Sequence, residues 1–180
     1  MSYITTITGK HFDPMEPEAD LIDIYDIAHS LAHVCRANGH VKFFYSVAQH
    51  SIACALEAKA RGYGRDIVLG CLLHDGSEAY MSDVIRPLKS AMSFYLKAED
   101  KMQNMIWERF IGHIPDEAER EQIFMIDDLM LSAEFKQLMA EELNDEYKKL
   151  KRQIVFEYRP QDEVRDEFIS LFEKVSADAF

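Results

Sequence analysis

Ile67-Val68-Leu69-Gly70-Cys71-Leu72-Leu73-His74-Asp75 carries an uncharged, almost wholly apolar run straight into an imidazole and a carboxylate. A segment apolar on nearly every face belongs in the interior. With Asp66 available as a cap before it and Gly76 as a break after it, the spacing predicts a buried helix ending at His74-Asp75. A carboxylate directly after such a run is costly to bury unless it is paired or bound to metal. The helix therefore predicts both an interior and a place where the interior meets chemistry.

On either side of this helix the pattern stays helical. Upstream, Ile24, Ile27, Ala28, Leu31, Val34 and Cys35 recur at helix spacing from Asp23, and Asn38-Gly39 is a natural stop. Ser46 with Gln49 three residues on is a capping-box signature that starts a helix at Val47, places His50 in its first turns and lets Gly62 and Gly64 bracket its end. Downstream, Asp83 to Pro87 reads as a loop, because Pro87 disfavours helix at Arg86. A long amphipathic helix then carries Tyr95, Met102, Met105, Ile106 and Phe110 on one face and stops at Gly112. Another begins after Pro115-Asp116 and runs through Asp127 towards Met139. Gln153 to Tyr158 looks extended, and Asp162 caps a last helix with Val164, Phe168, Leu171 and Phe172 inside. The first segment, Tyr3 to Gly9, is a short strand or ordered arm, cut off by Asp13-Pro14 and Glu16-Pro17. The expectation is an all-α chain, residues 1-180, forming a single helical bundle of about six to eight helices with a short non-helical N-terminal arm.

His50, His74, Asp75 and Asp127 form an ordered H…HD…D pattern. Two imidazoles and two carboxylates suit Mn²⁺, Fe²⁺, Co²⁺, Ni²⁺ or Zn²⁺. Such an ion polarises a phosphoryl oxygen and acidifies a bound water, so the pattern points to a metal-dependent phosphohydrolase. Asp127 is preferred to Asp128 because it lies one turn from Ile123, Met130 and Leu131, on or beside the buried stripe of its helix. Rival ligand pairs are His29 with His33, at i, i+4 without the Glu of an HExxH protease, and Cys71 with His74 at i, i+3. Glu78, one turn beyond the HD pair, and Asp83 are candidate acid/base groups. Arg36, Lys42, Arg86 and Lys89 flank the ligand segments and are candidate phosphate partners.

Bulk properties narrow the class. The 180 residues carry a formal net charge of −12, which argues against non-specific nucleic-acid binding. With 48% apolar and 29% charged residues, the chain reads as an ordinary soluble globular protein. The three cysteines contain no CxxC, and pairing would leave one over, which fits a reducing cytoplasm. No signal-like N-terminus and no span-length apolar run is expected, so no membrane partner is.

The motifs also resemble a family. Thr8-Gly9-Lys10-His11-Phe12-Asp13-Pro14, Asp26-Ile27-Ala28-His29, Tyr45-Ser46-Val47-Ala48-Gln49-His50-Ser51, Leu73-His74-Asp75-Gly76-Ser77-Glu78-Ala79-Tyr80, Arg86-Pro87-Leu88-Lys89 and Asp127 with Glu134 are similar to motifs of the HD-domain phosphohydrolases. The chain most resembles the 5'-deoxynucleotidase group of bacterial and phage HD proteins. The likeness covers about residues 3-140 and leaves 141-180 as a C-terminal helical extension. It implies one divalent metal on His50, His74, Asp75 and Asp127, catalysis by Glu78 and Asp83, and substrate binding by Arg36 and Lys89. Gln49 stands where some relatives have Glu, which bears on the hydrogen bonds behind the first ligand. The implied substrate is a small-molecule nucleotide, most simply a dNMP cleaved to deoxynucleoside and phosphate. A dNTP cleaved to triphosphate and a nonhydrolytic nucleotide-binding protein are the alternatives. A homo-oligomer is also implied.

Overall fold

The helical periodicity is realised as eight α-helical segments among residues 3–139 and 141–178, which the computed structural model describes. They are α1 (Ile24–His33), α2 (Val47–Ala60), α3 (Arg65–Leu73), α4 (Glu78–Met81), α5 (Arg86–Lys89), α6 (Ser93–Ile111), α7 (Glu117–Leu138) and α8 (Gln161–Ser176). The N-terminal arm is a two-stranded antiparallel hairpin, β1 (Ile4–Thr5) on β2 (His11–Phe12), with Ile4 opposite Phe12. Its turn is fastened to α1, because the buried Asp26 carboxylate accepts from both the Thr8 amide (3.0 Å) and the Thr8 hydroxyl (2.8 Å). Among the described residues no helix is long and apolar enough to cross a membrane.

α2 and α3 form the centre. Both are buried on almost every face, and they pack against each other, α7 and α8. Such helices derive their stability from tertiary contacts rather than from amphipathic contrast. Gly70 permits the close approach of α3 to α7: a Cβ there would lie 2.4 Å from Ile123 Cδ1. The expected capping box at α2 is complete, with Gln49 N–H donating to Ser46 Oγ (3.2 Å) and Ser46 N–H donating to Gln49 Oε1 (3.2 Å). Gly112 closes α6 in the left-handed region at φ 103°.

Several local expectations are corrected. α1 stops at His33, before Asn38-Gly39, because Val34 to Arg36 turn to bridge the chain ahead of α2: Arg36 N–H donates to Tyr45 O and Val47 N–H to Val34 O. Arg36–Gly39 is a separate 3-10 turn with Ala37 and Asn38 at positive φ. Gly64, not Asp66, is the N-cap of α3, and Pro160, not Asp162, that of α8; each acid sits instead in the first turn, where it favours the helix dipole. Pro87 does not prevent helix at Arg86. It falls in the first turn of α5, where its missing N–H has no helical partner to lose.

The C-terminal helical extension is corrected most. Residues 141–160 hold only a 3-10 turn, Glu146–Lys149, and Gln153 to Tyr158 pairs with no strand. This irregular stretch is held by the fully buried Glu57, whose carboxylate accepts from the amides of Lys151 (2.8 Å) and Arg152 (3.0 Å) and from Arg61 Nε (2.8 Å). α8 is no appendage. Val164, Phe168, Leu171 and Val175 are buried in the same core as α1, α2 and α3.

Candidate metal centre

Three helices bring the candidate ligands together. α2 supplies His50 from its first turn, the residues after α3 supply His74 and Asp75, and α7 supplies Asp127. His50 Nε2 is 3.2 Å from His74 Nε2, 3.1 Å from Asp127 Oδ1 and 3.9 Å from Asp75 Oδ2. His74 Nε2 is 3.3 Å from Asp75 Oδ2 and 3.8 Å from Asp127 Oδ1. An ion about 2.1 Å from each nitrogen and oxygen ligand sets neighbouring ligands roughly 3.0–3.4 Å apart, so most of these edges fit one coordination shell.

The far side of each imidazole fixes its tautomer. His74 Nδ1–H donates to the Cys71 carbonyl (2.7 Å), and His50 Nδ1–H to Glu134 Oε1 (2.6 Å). Both Nε2 lone pairs then face each other and two carboxylates. Four acceptors in one spot require a proton or a cation between them. Without metal the balance falls to protons. Burial and the Arg36 charge oppose protonation of His50, but Cys54, Glu134 and Asp127 outweigh them and hold its pKa well above the usual imidazole range. Burial likewise opposes protonation of His74, and Asp75 and Asp127 overcome it. Asp127, despite burial, is held well below the usual carboxylate range by hydrogen bonds from the two histidines.

The buried trio His50, Cys54 and His74 can hold a metal ion. Cys54 was not among the candidates from sequence, although its i+4 spacing from His50 puts it on the same helix face; its Sγ is 3.6 Å from His50 Nε2. The rivals fall away. Cys71 gives the site only its carbonyl, and its thiol belongs to the core. His29 and His33 stack on each other and join no potential ligand group among the described residues. Asp128 is exposed and pairs with Arg86. A second group, Asp66 with His113 and Glu119, is engaged internally: Arg65 holds Asp66, and His113 and the Asp116 amide hold Glu119.

No protein-family model matches this chain. The uncharacterized protein YfdR of Escherichia coli (strain K12) is 39% identical over 110 residues, covering 61% of this chain and 59% of YfdR. The uncharacterized protein RCAP_rcc00048 of Rhodobacter capsulatus is 38% identical over 109 residues, covering 58% of this chain and 56% of that protein. The matched stretches thus span less than two thirds of either relative.

A cavity of about 680 Å³ opens over the cluster and is lined by His74, Asp75 and Asp127, by Glu78, Asp83, Arg36 and Lys89, and by an apolar side including Leu96, Phe124, Leu131 and Phe135. Of the residues proposed from sequence for acid/base or phosphate chemistry, all but Lys42 therefore reach the same cavity. Glu78 is buried, and its Oε2 has no hydrogen-bond partner. Burial first, then the charges of Asp75 and Asp83, push its carboxyl well above the usual range, against the pull of Arg36 and Lys89. Asp83 is raised as well, chiefly by burial. It follows Ser82, whose backbone at φ 73°, ψ 153° is a region that L-residues rarely occupy.

The cations are less free than sequence suggested. Arg36 donates to Glu134 Oε2 from Nη2 (2.9 Å) and Nε (3.3 Å) and to Asp75 Oδ2 from Nη1 (3.4 Å). Lys89 is 2.6 Å from Glu99 and 4.0 Å from Glu78. Arg86 reaches Asp127 Oδ2 (3.2 Å), and Lys42 donates to the Gln137 carbonyl, outside the cavity lining. Two supports were missed as such. Glu134 links His50 to Arg36. Gln103 on α6 brackets the HD turn, donating to Leu73 O (2.8 Å) and accepting from Ser77 N–H (3.1 Å).

Proposed function

We propose that this chain is a metal-dependent nucleotide phosphohydrolase of the HD-domain type, cleaving a deoxynucleoside 5'-monophosphate to deoxynucleoside and phosphate. The observation that carries the reading is the convergence of four acceptors, His50 Nε2, His74 Nε2, Asp75 Oδ2 and Asp127 Oδ1, three of whose residues line a cavity that Glu78, with one unpartnered carboxyl oxygen, lines as well. Those four residues would hold one divalent ion (Mn, Co, Fe, Ni or Zn), which when bound polarises a phosphoryl oxygen and acidifies water.

Each neighbouring side chain then has a task. Glu78, with its pKa raised, keeps a proton at pH values where an ordinary carboxyl has lost it, and so is suited to protonate the leaving 5'-oxygen. Asp83 shares the cavity and supports that proton. Lys89 sets a positive charge beside Glu78 where phosphate charge would lie. Arg36 uses three N–H groups on Asp75 and Glu134, which makes it first a clamp on the ligand set and only with its remaining donors a phosphate contact. The apolar side offers stacking surface to a nucleobase.

Charge favours the monophosphate. The cations lining the cavity, Arg36, Arg86, Lys89 and Arg120, each already face a carboxylate. A triphosphate would have to take several of them from their partners, whereas one phosphate needs few. Release of triphosphate from a dNTP remains the alternative that this charge balance disfavours.

Glu78→Gln tests the assignment. It should lower turnover by about 10²–10⁴-fold while leaving Mn²⁺ affinity intact. Turnover at the wild-type rate would overturn it.

A further inference from the structure

We propose that Cys54 gives the ion a second, thiolate-containing position behind the two histidines, so that the metal's softness decides whether it faces the cavity. Two ligand sets share His50 and His74. The outer set adds Asp75 and Asp127, which line the cavity. The inner set adds Cys54, which is 1% exposed and lies on α2 one turn beyond His50.

Two edges of the inner set have the spacing that a tetrahedral ion requires. With metal–sulfur near 2.3 Å and metal–nitrogen near 2.0–2.1 Å, sulfur and nitrogen ligands sit roughly 3.5 Å apart and two nitrogens roughly 3.3 Å apart. Cys54 Sγ is 3.6 Å from His50 Nε2, and the two Nε2 atoms are 3.2 Å apart. All three ligand atoms lie within 4.8 Å of one another. The outer carboxylates, in contrast, are each already held by an arginine, Asp75 by Arg36 and Asp127 by Arg86. An ion drawn inward gains a thiolate and gives up carboxylates that have other partners, and the thiol proton leaves to solvent.

Ligand softness then sorts the metals. Mn²⁺ favours carboxylates and stays at the cavity, whereas Zn²⁺ accepts thiolate and is drawn inward, away from substrate. The effect on turnover rests on the hydrolytic reading above. The ligation itself does not.

Cobalt reports both. The metal-stripped protein titrated with Co²⁺ should develop visible ligand-field bands together with a near-ultraviolet thiolate-to-cobalt charge-transfer band. Cys54→Ser should lose the charge-transfer band and keep the visible ones, and Cys35→Ser and Cys71→Ser should keep both. In turnover, Zn²⁺ should support less hydrolysis than Mn²⁺ in the wild type, and Cys54→Ser should narrow that gap. Visible bands without the charge-transfer band in wild-type protein would overturn the role of Cys54 and leave the metal centre standing. No cobalt bands at all would overturn both. An unchanged gap in Cys54→Ser would overturn the sorting of metals. A cysteine-dependent band in a protein that hydrolyses nothing would uphold the ligation and sink the hydrolase.

Discussion

Glu134 Oε1 accepts a 2.6 Å hydrogen bond from His50 Nδ1, while its other oxygen holds Arg36. One buried carboxylate on α7 thus sets the tautomer of a ligand on α2 and anchors the guanidinium that pairs with Asp75. Despite burial, Arg36 and His50 keep its own pKa below the usual carboxylate range.

Glu134→Gln keeps an acceptor for His50 but removes the charge that makes the imidazole a strong ligand. Metal affinity should fall about 10–100-fold, as is usual when such a supporting partner is lost. Calorimetric titration of metal-stripped wild type and variant with Mn²⁺ measures it, and equal affinities would remove Glu134 from the account.

Gly76 tests how tightly the HD turn is built. A Cβ there would lie 2.9 Å from the Leu73 carbonyl oxygen and 3.2 Å from Ile106 Cγ2. That carbonyl also accepts from Gln103, so it has little room to move. Gly76→Ala should destabilise the protein by about 1–3 kcal/mol and weaken metal binding. Gly64→Ala, where nothing lies within 4 Å, should change stability by no more than about 0.5 kcal/mol. Urea unfolding of both variants makes the comparison.

Glu78 predicts a pH signature in the metal-free protein. Its folded pKa is raised above the ordinary 4.5, so the folded state holds a proton that the unfolded state has released. Stability must then fall as pH rises from about that ordinary value through the folded one. Glu78→Gln lacks this slope. Thermal melts should find the variant more stable than wild type at neutral pH, with the advantage fading at acid pH; a constant difference across pH would contradict the raised pKa.

Glu57 separates architecture from chemistry. Glu57→Ala leaves the Lys151 and Arg152 amides without their acceptor. Loss of about 2–4 kcal/mol and proteolysis near those residues should follow, with little change in metal affinity. Limited proteolysis that spared this segment would show that other contacts hold it.

The helices and the convergence of His50, His74, Asp75 and Asp127 were legible for a local reason. Apolar spacing identifies α3, α6 and α7, a capping box identifies α2, and an HD pair closing an apolar helix signals a carboxylate at the edge of the interior. Glu134 was half visible: seven residues after Asp127, it lies two turns along the same face of α7. Cys54 had an equally simple signal, i+4 from His50. What could not be read depends on pairs distant in sequence. Arg36 spends its donors on Glu134 because of the bridge ahead of α2, and Glu57 reaches residues 94 and 95 positions away. Gly76 looked like a break after the helix; its requirement is for space against Leu73 and Ile106, which only packing reveals.

The most direct measurement incubates metal-stripped protein, with Mn²⁺, Co²⁺ or Zn²⁺ restored, against dNMPs, NMPs and dNTPs in parallel and identifies the products by chromatography. The account predicts metal-dependent release of deoxynucleoside and phosphate from a dNMP. Deoxynucleoside and intact triphosphate from a dNTP would contradict the monophosphate reading, and no product with any metal would contradict the hydrolase.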